Sequence, residues 1–270
     1  KPTPTPSVPE PPNKPGPSNT GVPAGTKLTV IKGDVTVTTS GTVIDSKDIK
    51  GALIIDASNV TVRRSLIEGH ALEDSVFVRS GSNISFQDDE ISVVSPHTGV
   101  DSMGLRNSTV QRLNIHGGVD GIKLFGNSTV TGSWIHGLTW FAHDPGQGGG
   151  PSHNDTIQIL GGSNMHVTGN FLQAVAQDNS AIQVTQNSGK ISALSISGNW
   201  AEGGGCTFNI SSHNNAGTLI PMSGISLTNN RFGHTSKLNC AIVVDLKTTF
   251  THNGNVWDAS GTPVTIIRNN

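Results

Sequence analysis

From Lys27 onward the chain repeats one short unit, and that repeat constrains its fold more than any other feature. Each unit opens with a stretch of alternating apolar residues: ALII (52–55), SVFV (75–78), SMGL (102–105), GIKL (121–124), TIQI (156–159), AIQV (181–184), TFNI (207–210) and AIVV (241–244). A more polar strand follows, as in SNVTV (58–62), SNISF (82–86), NSTV (107–110 and 127–130) and SNMHV (163–167). A third apolar touch closes the unit at Ile67, Ile91, Ile115, Ile135, Leu172, Trp200 and Phe232. Alternation at period two marks strands, and no stretch sustains a 3.6-residue period. The opening strands lie 23, 27, 19, 35, 25, 26 and 34 residues apart. That irregularity fits coils of roughly 20 residues with loops of varying length inserted between them. Strands that recur without hairpin turns stack in parallel, each coil burying its apolar face against the next. The predicted fold is all-β: a single right-handed parallel β-helix over residues 21–270, preceded by a linker over residues 1–20.

The linker follows from proline density. KPTPTPSVPEPPNKPGPSNT excludes helix and central strand and favours an extended, solvated chain. The chain opens at Lys1 without Met, and a secreted protein is expected to have lost a leader. Charged residues make up 13% of the sequence and the net charge is −2, so no basic face exists to displace counterions from nucleic acid. No apolar run reaches the length of a membrane-spanning helix. The expected partner is therefore neither nucleic acid nor membrane, and the expected state is a monomer.

Aligning the coils on their apolar residues brings a second column into view. Two positions before the first inward residue stand Asp74, Asp101, Asp120, Asp155, Ser180, Cys206 and Cys240. Neighbouring parallel strands lie about 4.8 Å apart, within the Cα separation that a disulfide spans. A Cys206–Cys240 bridge is predicted, and with it an oxidising, extracellular compartment.

The SN-h-x-h strands (h is apolar), the DG-I and ND-x-I strand starts, and the TGVPAGTKLTVIKGDVTVTTSGTVID opening together resemble the right-handed parallel β-helix repeat proteins of the pectin-lyase-like superfamily. The opening is also similar to that of secreted actinobacterial β-helix proteins and of some phage tail proteins. The resemblance implies the fold and leaves the reaction open, because this fold carries lyases, hydrolases, epimerases and adhesins.

In such a helix the outer face of the first strands forms a long groove, here faced by Ile54, Phe77, Gly104, Lys123, Gln158, Gln183, Asn209 and Val243. Beside its polar middle lies the longest insertion, GLTWFAHDPGQGGGPSHN (137–154), which brings Trp140, His143, Asp144 and His153 toward Asp155. Long loops on a regular scaffold concentrate function. Gln158, Gln183, Asn209, Trp140 and His143 are the expected substrate-binding residues, since amides and aromatic rings suit sugar hydroxyls and faces. Three uses of this site are open. The leading one is β-elimination on a uronic-acid polysaccharide. The DP…GG…ND-x-I stretch resembles calcium-dependent pectate lyases, which implies calcium held by Asp101, Asp120, Asp144 and Asp155. Lys123 would be the base, helped by Asp120, Asp155 and His153. In that family, however, the lysine follows the ND-x-I strand, whereas Lys123 lies one coil earlier. The second use is glycoside hydrolysis. GVDGIKL and HNDTIQI align with polygalacturonase strand starts, although Asn154 and Ser180 depart from that pattern. Asp120 and Asp155 would stand about 5 Å apart, as in retaining enzymes, and Asp101 and Asp155 about 9–10 Å, near the inverting limit. The third is glycan binding without catalysis, because Asp at such turns accepts backbone N–H bonds. His116 and His136, one coil apart, lack an evident third metal ligand.

Overall fold

The computed structural model describes residues 14–70 and 74–269. Among these the chain winds into a right-handed parallel β-helix of three sheets, every strand pairing with its counterparts in the coils before and after. The groove sheet has ten strands, from Val35–Val37 to Ile266–Asn269. The second sheet has nine, from Val43–Asp45 to Phe250–Asn253, and the third has ten, from Thr29–Lys32 to Val256–Trp257. No helix of the described residues is long and apolar enough to cross a membrane.

The register is the one the apolar alternation predicts. Leu53, Val76, Met103, Ile122, Ile157, Ile182, Phe208 and Ile242 form one inward column. It meets Val62, Phe86, Val110, Val130, Val167, Ile196 and Leu227 from the second sheet, all buried. Ile67, Ile91, Ile115, Ile135, Leu172 and Phe232 of the third sheet complete the core. Burying each such side chain contributes about 1.5–3 kcal/mol. One detail of the third sheet differs from expectation. Ala201, not Trp200, enters the core column, and Trp200 pairs with Phe171 and Arg231 in the outward one. The strand GNWAE is displaced by one residue from the alternation that the large indole suggests, because the neighbouring Asn199 is drawn inward.

The turns explain the SN signature. Asn59, Asn83, Asn107, Asn127 and Asn164 all stand at φ between 51° and 58°, the left-handed region that Asn tolerates better than other side chains. Their amides stack from coil to coil, Asn83 donating to Asn59 at 2.8 Å and Asn127 to Asn107 at 3.2 Å. A second amide ladder lies inside the turn that enters the third sheet. Asn170, Asn199, Asn230 and Asn255 are buried, and each Oδ1 in the last three accepts both the backbone N–H and the Nδ2–H of the asparagine one coil earlier, at 2.9–3.1 Å.

Of the predicted linker, residues 1–13 lie outside the described residues. Residues 14–20 turn back onto the solenoid. Asn19 Oδ1 accepts the Gly16 N–H, Gly21 N–H donates to the Arg112 carbonyl at 2.9 Å, and the Lys14 ammonium sits 3.7 Å from the centre of the Phe171 ring. Gly21 has φ 80°, and a Cβ there would stand 2.9 Å from that of Asn114, so this close approach requires glycine.

Candidate active site

Parallel stacking turns the aspartate column into a ladder. Asp74 Oδ1 accepts the Asp101 N–H at 3.2 Å, Asp101 Oδ1 that of Asp120 at 3.0 Å, and Asp120 Oδ1 that of Asp155 at 2.8 Å. Asp155 ends the series. Its Oδ1 accepts the Ser180 hydroxyl at 2.6 Å and Asn179 Nδ2–H at 3.2 Å, and its Oδ2 accepts Gln158 Nε2–H at 3.3 Å. Two coils further the column becomes the Cys206–Cys240 disulfide, with Cα atoms 4.7 Å apart, as the alignment predicts.

Lys123 rises from the adjacent strand between two rungs of the ladder. Its ammonium makes its closest contact with Asp101 and lies 3.7 Å from Asp120. Burial alone would lower its pKa. The charges of Asp101 and Asp120, the hydrogen bond to Asp101 and the charge of Asp74 outweigh that effect and hold it above its ordinary value. These neighbours stabilise the ammonium form of Lys123.

The carboxyls are shifted the other way. Burial pushes Asp155 up to about 7, against the bonds from Ser180, Asn179 and Gln158 and with a further push from Asp178. Asp120 is also raised well above the carboxylate range, by burial and by the charges of Asp101 and Asp155, with Lys123 opposing.

These groups floor a cleft of about 460 Å3. Asp101, Asp120, Lys123, Asp144, His153, Asp155, Gln158, Gln183 and Asn209 all line it, so most of the expected site is brought together. His143 is not: its ring donates to or faces the Gly149 carbonyl at 3.2 Å within the inserted loop. Trp140 lines a neighbouring pocket instead. The loop is tied down at its base, where Asn154 Nδ2–H donates to the Thr139 carbonyl and the Ser152 hydroxyl to Asn154 Oδ1. Asp144 caps the short helix Pro145–Gln147, accepting the Gly146 N–H at 2.8 Å.

The residues present do not fit the calcium site that the resemblance implies. Among the described residues no three Asp, Glu, His or Cys groups are placed to hold a metal ion. The ammonium of Lys123 already faces Asp101 and Asp120, and both oxygens of Asp155 accept from neutral donors. His116 and His136 are engaged elsewhere, His116 with Glu90 at 3.1 Å and His136 with Asn114 at 2.9 Å.

Sequence reasoning missed Asp178 and Asn179. Asn179 joins Asp155 to Gln183, whose Oε1 accepts its other Nδ2–H at 3.0 Å. The signal was available in QDNSAIQV, where polar residues of the turn immediately precede the ladder position of Ser180.

No protein-family model and no curated protein sequence matches the chain. Among solved structures, the Agl-KA catalytic domain superposes with a TM-score of 0.50 at 10% identity, over 84% of this chain and 46% of that one. The likeness is one of fold. The chain spans less than half the length of that domain. Pectate lyase Pel9A (TM-score 0.38, 13% identity, 88% of this chain and 72% of that one) and a GH87 α-1,3-glucanase catalytic domain (0.29, 12%, 97% and 70%) are more distant.

Proposed function

We propose that the protein is a glycoside hydrolase that binds a neutral polysaccharide along the groove and uses Asp155 as proton donor. The observation that carries this reading is a buried carboxyl with a pKa near 7, one coil from a second carboxyl, on the floor of an open cleft. A general acid works best when its pKa lies near the working pH. Like charges one coil apart resist ionising together, so Asp120 and Asp155 hold a proton between them in the neutral range. Lys123 opposes the protonation of Asp120, and this reading assigns the shared proton to Asp155. The protonated Asp155 donates to the glycosidic oxygen as the bond to the leaving sugar breaks, and Asp120 attacks the anomeric carbon. Water then releases the sugar, with Asp155 as base. The spacing of about 4.8 Å per coil suits this double displacement and predicts retention of anomeric configuration.

The groove's charge argues for a neutral substrate. Asp101, Asp120, Asp144 and Asp155 surround one lysine that is already paired, so a uronate would meet net repulsion. The amides of Gln158, Gln183, Asn209 and Asn179 offer donors and acceptors for hydroxyls over a span of roughly 10 Å. The disulfide accords with a secreted protein.

A second reading, glycan binding without turnover, is favoured by one observation: Asp74, Asp101 and Asp120 each satisfy the next coil's N–H and so have a structural role of their own. Incubation with glucans, mannans, xylans and polygalacturonate, with and without chelator, separates the readings. Hydrolysis gives new reducing ends without unsaturation, indifferent to chelator. Unsaturated ends that vanish with chelator would restore elimination, and retention on glycan with no product would leave binding alone.

A further inference from the structure

Beside the groove, over the turns that lead from the third sheet into the groove sheet, a second pocket of about 530 Å3 opens. Trp140, Pro151, His153, Asp178, Asn179 and Lys237 line it, and His153 and Asn179 also line the groove, so the two spaces share a wall. A chain lying in the groove runs across the strands, over Gln158, Gln183 and Asn209. This pocket stands to one side of that path, where a substituent directed off the main chain would enter it.

Its chemistry is that of a sugar site. Trp140 is 40% exposed and presents an indole to the pocket. Asp178 is buried in the wall. Its Oδ2 accepts the Val175 N–H at 2.8 Å, while its Oδ1 is out of contact with solvent and has no hydrogen-bond partner. A buried acceptor is costly to leave unpaired, and a ligand hydroxyl that shifts the wall enough to reach Oδ1 meets that need. Lys237, exposed on the rim, adds a donor. Neither Trp140 nor Asp178 takes part in the ladder, and Asp178 acts on Asp155 only through its charge.

We propose that this side pocket holds a single neutral pyranose branch of the glycan in the groove, stacked on Trp140 and hydrogen-bonded by Asp178, so that the preferred substrate is branched. The proposal rests on the reading of the groove as a glycan site. It is tested by calorimetric titration of full-length Asp155→Asn protein, in which turnover is slow on the timescale of the titration. The probes are oligosaccharides matched in backbone, with and without single-residue branches: mannan and galactomannan, cellulose and xyloglucan fragments. The branched member of at least one pair should bind at least tenfold more tightly. Adding Trp140→Ala, or Asp178→Asn (which keeps an acceptor for Val175), should bring that ratio toward one. Equal affinities within every pair, or a ratio that neither substitution changes, would overturn the side pocket and leave the groove reading standing. Absence of binding to any neutral backbone would overturn both.

Discussion

Two ladders climb this solenoid, and they differ in what they leave over. Inside the turn before the third sheet, Asn170, Asn199, Asn230 and Asn255 stack as neutral amides. Each of the last three accepts from the coil before, and all four donate to the backbone carbonyls of Val130, Val167, Ile196 and Leu227. Before the groove sheet, Asp74, Asp101 and Asp120 each accept a backbone N–H from the coil after, and Asp155 ends the series. A carboxylate cannot donate, so every further rung adds charge where an amide would add none. The structural task at the groove is one that asparagine performs elsewhere in the same molecule. The aspartates bring protons and charge beyond that task, and they do so beside the cleft.

The sharpest contrast is expected in stability. Asn199→Ala removes a buried amide that touches Asn170, Val167 and Asn230, and should lower stability by about 3 kcal/mol, read from denaturant unfolding. Asp155→Asn should be far milder, and above pH 7 it should stabilise. If both variants lose equally, the two ladders do the same work and the comparison fails.

The next effect concerns pH. Because the folded-state pKa of Asp155 is raised from 3.8 to about 7, the folded protein holds its proton more tightly than the unfolded chain does. Its contribution to stability is complete below pH 4, falls as pH rises toward 7, and is flat beyond. The melting temperature should therefore drop between about pH 4 and pH 7, and Asp155→Asn should flatten that slope. Asp120, raised in the same direction, adds to it.

The smallest effect is expected at Lys123, whose side chain is partly exposed. Lys123→Ala removes a counter-charge from Asp101 and Asp120. It should shift the pH optimum of hydrolysis upward while costing less than about tenfold in rate, since both carboxyls then protonate more readily. Loss of all activity would instead make the lysine a participant in the chemistry, as a lyase mechanism requires.

Much of this architecture was legible before any coordinates. Alternation of apolar residues set the register, since a one-residue slip would turn Ile122 and Ile157 outward, and the register alone stacked the aspartates and paired Cys206 with Cys240. What escaped were properties that depend on several coils at once. The protonation of Lys123 follows from two carboxylates 19 residues apart in sequence closing on one ammonium. Asp178 lies in a turn outside any periodic strand. The inner asparagine ladder hides in GNFL, GNWA, NNRF and GNVW, where the following aromatic or branched residues draw attention from the amide. Residues 14–20 read as linker by composition, yet the Gly21 N–H bond to the Arg112 carbonyl and the Lys14 cation over Phe171 hold them against the solenoid.

The central claim is most directly tested by assaying wild type and Asp155→Asn side by side on neutral polysaccharides, with circular dichroism to show that both are folded. Wild type should release new reducing ends, and the variant should be slower by about a hundredfold to ten-thousandfold. Equal rates in two folded proteins would contradict it, and the acidic ladder would then be no more than the charged counterpart of the asparagine one.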